Sequence, residues 1–103
     1  MAWIYLLLAG VLEIVWALAM KQSDGFTRLV PTVITITALL ASLVLLALAM
    51  KSLPLGTAYP VWTGIGAIGA FVVGVLLLGE PLQALRAGAA AMILAGLVLM
   101  KLA

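Results

Sequence analysis

Four long apolar runs, separated by three short polar breaks, take up nearly all of this 103-residue chain. Crossing about 30 Å of hydrocarbon requires roughly 20 helical residues at a rise of about 1.5 Å each. The runs cover roughly residues 2–20, 29–50, 57–78 and 85–100, and each approaches or exceeds that length. The breaks at residues 21–28, 51–56 and 79–82 carry most of the charge. Connections this short make consecutive helices antiparallel. The expected fold is an all-α integral membrane protein, a single transmembrane domain over residues 1–103 with four short helices per subunit and no extramembrane domain.

Composition narrows the chemistry. With 68% of residues hydrophobic and 8% charged, the main solvent is lipid rather than water. The absence of Cys and His removes disulfides, thiol chemistry and the usual zinc or copper sites, so no metal, no cofactor and no catalytic residue is expected, and the chain reads as a non-enzyme. The net charge of +2 is scattered along the chain, which gives nothing to follow a phosphate backbone, so nucleic acid is excluded as a partner. The first run has no basic segment before it and no convincing cleavage site, and Glu13 interrupts it. It is expected to be retained rather than removed as a signal peptide.

Punctuation residues have structural roles to offer first. Lys21 suits the C-terminus of the first helix, Glu80 the N-terminus of the fourth, and Pro81 its first turn. Arg28, Arg86 and Lys101 suit headgroup anchoring, as do the rings of Trp3 and Tyr5. Pro60 is compatible with a third helix beginning near Thr57, where its missing N–H falls among the unpaired donors of the first turn. Four spans place Lys51 and Lys101 on one side and Lys21, Arg28 and Arg86 on the other. This bias is too small to fix orientation, so the chain is expected to insert both ways up.

Glu13 lies near the middle of the first span, and an acid at that depth costs about 2.5–3.5 kcal/mol on insertion scales. It must be protonated, paired or open to a water-filled cavity; the plain alternative is a neutral acid hydrogen-bonded between helices. Trp16, three residues on, shares its helical face, and Tyr59 and Trp62 repeat that spacing in the third span. Ser42, near the middle of the second span, can donate to the carboxylate or bond its own i−4 carbonyl. An acid, indole and phenol faces and a hydroxyl in lipid describe a site for an organic or planar cation, held by charge and cation–π attraction.

Four short helices have a filled core, so a ligand cavity needs helices from a second copy. The small residues of the fourth span, Ala89 and Gly96 among them, offer a surface for that contact or for packing within the monomer. In the third span, Gly64 and Gly66 invite a conformational hinge, close helix packing, or both. Two copies of opposite orientation would bring two Glu13 carboxylates into one cavity. Like charges there cannot both ionise cheaply, so protons bind as a coupled pair that a cation displaces. Mutual exclusion at a site opening to either face makes a proton-coupled antiporter.

These residues resemble the small multidrug resistance family over essentially the full length. The matching stretches are Glu13; Met20-Lys21 with Gly25-Phe26-Thr27-Arg28; Pro54-Leu55-Gly56-Thr57-Ala58-Tyr59; Trp62-Thr63-Gly64-Ile65-Gly66; and Ala95-Gly96. The resemblance implies an antiparallel, dual-topology homodimer in a prokaryotic cell membrane, exchanging protons for cations at paired Glu13 residues by alternating access. The segment Gly10-Val11-Leu12-Glu13-Ile14-Val15-Trp16-Ala17 is similar to the guanidinium-exporter branch, which has Trp at the position of Trp16. For that branch the implied binding network is Glu13, Trp16, Ser42, Tyr59 and Trp62. Pro60 departs from the Ala usual in the motif. Guanidinium, planar and rich in N–H donors, suits bidentate capture by two carboxylates beside a bulky Trp16. The implied function is proton-coupled export of guanidinium and small substituted guanidinium compounds; the alternative is a broad quaternary-ammonium exporter of the same family. A non-transporting or rotor-type subunit fits less well, since rotor subunits are usually two-helix hairpins.

Overall fold

The computed structural model describes residues 1–102. It contains α1 (Ala2–Gln22), α2 (Leu29–Ala49), α3 (Leu55–Leu77) and α4 (Ala84–Leu102), each long and apolar enough to cross a membrane. The all-α, four-helix architecture is the one expected. In lipid a backbone has no water to bond, so segments of this composition satisfy their N–H and C=O groups within each helix.

Local chemistry sets the ends. Ser23 stops α1: its Oγ donates to the Met20 carbonyl at 2.6 Å and accepts from the Phe26 N–H at 3.1 Å. The chain then turns through three left-handed residues, Asp24, Gly25 and Phe26, before Arg28 re-enters extended geometry ahead of α2. Helix α3 starts directly after Pro54, at Leu55 rather than near Thr57. Pro60 is therefore inside the helix, not in its first turn, and its missing N–H frees the carbonyl of Gly56, which is exposed.

The fourth helix corrects a second expectation. It begins at Ala84, so neither Glu80 nor Pro81 belongs to its first turn. Gly79, at φ 68°, turns the chain so that the Glu80 N–H donates to the Gly74 carbonyl at 3.0 Å. Glu80 thus closes the end of α3 instead of opening α4.

Helix α1 is central and packs on α2 and α3, whereas the backbone of α4 comes close to that of α3 alone among the described residues. The buried core joins Leu6 and Ala9 of α1, Leu46 and Ala49 of α2, and Ala58, Val61 and Trp62 of α3. All lie toward one end of the bundle, where α1 and α3 begin and α2 finishes. Gly10 lets α3 approach, since a Cβ there would sit 2.5 Å from Ile65 Cγ2. Trp3 and Tyr5, assigned to the headgroup belt, pack on this core as well, and the Lys101 ammonium lies 5.2 Å from the Trp3 ring centroid. Toward the other end, a cleft of about 250 Å³ separates the last turns of α1 from those of α3. No residue of α4 is buried.

Candidate functional site

Helical spacing brings Glu13 and Trp16 to one face of α1, and the Glu13 carboxyl lies directly against Gly66 of α3. Any Cβ at Gly66 would overlap that carboxyl, so glycine is what allows the two helices to meet at the acid. Glu13 Oε1 and Trp16 Nε1 are both buried and have no hydrogen-bond partner among the described residues. The Gly66 backbone is the polar group beside the Glu13 carboxyl, and a buried acceptor or donor left without a well-formed bond is costly unless another group completes it.

Helix α3 supplies the second aromatic pair. The Tyr59 and Trp62 rings are 5.5 Å apart between centroids and inclined at 60°, a tilted packing that suits the quadrupoles of both. Trp62 is buried, while Tyr59 is 52% exposed. The Trp62 Nε1–H donates to Ser42 Oγ at 2.9 Å, and Ser42 Oγ donates to the Ala9 carbonyl at 2.7 Å. Ser42 therefore bonds neither the Glu13 carboxylate nor its own i−4 carbonyl. Fully buried, it links α1, α2 and α3 and fixes the rear edge of Trp62.

The two glycines read as hinge candidates both make close contacts. A Cβ at Gly64 would come within 2.6 Å of Leu97 Cδ2 of α4, and Gly66 accommodates Glu13. Helix α3 runs unbroken through both. On α4, Ala89 and Gly96 are exposed, and a Cβ at Gly96 would meet nothing within 4 Å. The small-residue surface thus does not serve packing within the protomer.

Two further contributors escaped sequence reasoning. The Ala9 carbonyl, as Ser42's acceptor, left no signal, because any backbone carbonyl is an equal candidate. Ile14 lies against Gly69, where a Cβ would overlap its side chain. That pairing had a faint signal: Gly66 and Gly69, three residues apart, share a face and could receive successive residues of α1.

The site residues thus form two pairs, a buried carboxyl oxygen and indole N–H on α1 and, on α3, the exposed Tyr59 packed on a buried Trp62 that Ser42 anchors. Residues 1–100 match the family model described as Small Multidrug Resistance protein. A relative named guanidinium exporter from Escherichia coli (strain K12) is 55% identical over 102 residues, covering 99% of this chain and 97% of its own length. Another of that name, from Yersinia pseudotuberculosis, is 55% identical over 103 residues, covering 100% and 99%. A third, from Salmonella typhimurium, is 54% identical over 102 residues, covering 99% and 97%.

Proposed function

The chain belongs to the small multidrug resistance family, and from that premise we propose that it exports guanidinium and small substituted guanidinium compounds in exchange for protons. It is a multi-pass protein of the bacterial inner membrane and a transporter rather than an enzyme. The observation that carries the substrate and coupling is the bare pair on α1, Glu13 Oε1 and Trp16 Nε1. A small planar cation with several N–H donors completes the carboxylate, and the indole rings supply cation–π attraction.

The working unit in this reading is an antiparallel homodimer. Its support is the unburied α4, on which Ala89 is exposed and a Cβ at Gly96 would meet nothing within 4 Å, together with the near-balanced Lys and Arg distribution. Two Glu13 carboxylates then share one cavity lined by Trp16, Tyr59 and Trp62, with Ser42 behind them. Protons and the cation compete for the same oxygens, so each is released when the other binds. Gly64 and Gly66 let α3 flex as the cavity opens to alternate faces.

Purified protein in proteoliposomes with an acidic interior should take up labelled guanidinium as protons leave, and Glu13→Gln should abolish the uptake. Guanidinium transport that survives Glu13→Gln would refute the mechanism. Strong uptake of large aromatic quaternary ammonium ions, with guanidinium inactive, would refute the substrate and favour the broad multidrug alternative. Labelling of the C-terminus from each side of the membrane should find two populations of comparable size.

A further inference from the structure

The cleft between α1 and α3 is lined from Ile14, the residue after Glu13, outward to the end of α3. Its wall includes Ile14, Leu18 and Lys21 of α1, Val73 and Gly74 of α3, and Glu80 in the connection beyond α3. At its floor the Ile14 side chain is seated on Gly69, one residue along α1 from the acid and one turn along α3 from Gly66. At its mouth is Glu80. The left-handed Gly79 and the bond from the Glu80 N–H to the Gly74 carbonyl fold this residue back over the end of α3. Its carboxyl rests against Gly74, where a Cβ would overlap Oε1. Two glycines of one helix, Gly66 and Gly74, thus each receive a carboxyl group, one near mid-membrane and one at the membrane face.

The mouth is charged and uncommitted. Lys21 lines the same cleft, yet no Lys or Arg nitrogen lies within 4.0 Å of the Glu80 carboxylate among the described residues. At roughly 30 Å³ per water, about 250 Å³ holds a four-heavy-atom planar cation with several waters. We propose that Glu80 forms an outer cation subsite at the mouth of this cleft, where a guanidinium-type ion pauses between solvent and Glu13, with Ile14 on Gly69 as the barrier between the two. The inference rests on Glu13 being the inner site of the proposed exporter. Lys21 is the built-in competitor: its ammonium attracts the same carboxylate and repels the incoming ion, so Lys21 and Glu80 act on cation entry with opposite sign.

Two measurements test this. In transport, Glu80→Gln should raise the KM for guanidinium about twofold to fivefold with kcat retained, the size expected for one exposed ionic contact. Lys21→Gln should lower it. Both effects should shrink at high salt. Loss of kcat in both variants, or KM shifts in the same direction, would show a structural role and overturn the proposal. In binding, ¹³C-guanidinium should still show saturable line broadening with Glu13→Gln protein in detergent, and the double variant Glu13→Gln/Glu80→Gln should abolish it. Broadening that is absent in Glu13→Gln, or indifferent to Glu80, would overturn the outer subsite. A wild-type protein that fails to carry guanidinium across a bilayer but keeps Glu80-dependent broadening would refute the exporter and leave the subsite standing.

Discussion

The indole N–H of Trp62 donates to the Ser42 hydroxyl at 2.9 Å, and the same hydroxyl passes its own proton toward the Ala9 carbonyl at 2.7 Å. One buried side chain thereby sets the orientation of the ring on which Tyr59 packs. Ser42→Ala leaves the Trp62 donor bare, and bonds of this kind inside membrane bundles average about 0.6 kcal/mol and reach about 1.7. Unfolding in detergent should show a loss of about 1 kcal/mol, and the KM for guanidinium should rise a few-fold. Trp62→Phe keeps a ring and deletes the donor; if the bond matters, the two losses will not add in a double-mutant cycle. Additive losses would mean the bond contributes nothing.

Gly66→Ala places a methyl where the Glu13 carboxyl lies. Either the acid moves or α1 parts from α3, and overpacking of this kind costs about 1–3 kcal/mol. Guanidinium uptake should fall by more than about tenfold, the equivalent of 1.4 kcal/mol, while circular dichroism still reports a helical, inserted protein. The control is Gly56→Ala, where a Cβ meets nothing within 4 Å and activity should hold. Equal uptake by both variants would remove the close approach from the mechanism.

Gly96→Leu tests the proposed α4 interface. Inside the protomer nothing lies within 4 Å of a Cβ at this position, so the fold should accept the larger residue. Between copies it separates backbones that small residues let approach. Crosslinking in native membranes should show the dimer population reduced several-fold with total protein unchanged. An undiminished dimer would place the interface elsewhere.

Trp16→Ala removes the bulk beside Glu13. Guanidinium should be carried less well and large aromatic quaternary cations better, with their relative kcat/KM moving by about tenfold or more, within the 1–3 kcal/mol a change in pocket volume commands. An unchanged preference would show that Trp16 does not border the cation.

Much of this was legible in the sequence because lipid is a simple solvent. A run of about 20 apolar residues has few options in it, so four helices could be read directly. Glu13 was conspicuous as the only charge in its run, and the i, i+3 pairs Glu13/Trp16 and Tyr59/Trp62 predict shared faces without any tertiary information. What failed was punctuation. Glu80-Pro81 looks like a helix start, but the left-handed Gly79 spends Glu80 on the end of α3, and α4 begins only at Ala84. Pro54-Leu55-Gly56 looks like a loop, yet the fixed φ of Pro54 launches α3 at Leu55 and carries Pro60 inside it. Cross-helix partners were also hidden. Whether Ser42 meets Glu13, Ala9 or Trp62 depends on how each helix is rotated about its axis, which the weak amphipathicity of lipid-facing helices does not encode.

The core of this subunit lies at one end, where Leu6, Ala49 and Trp62 lock together, while the Lys21 end encloses a cleft. A helical bundle so built behaves like a clothes-peg, with a stiff spring at one face of the bilayer and free jaws at the other. Set head to tail, two such pegs would put a spring beside a pair of jaws at each face, so each face would keep one braced half beside one that can open.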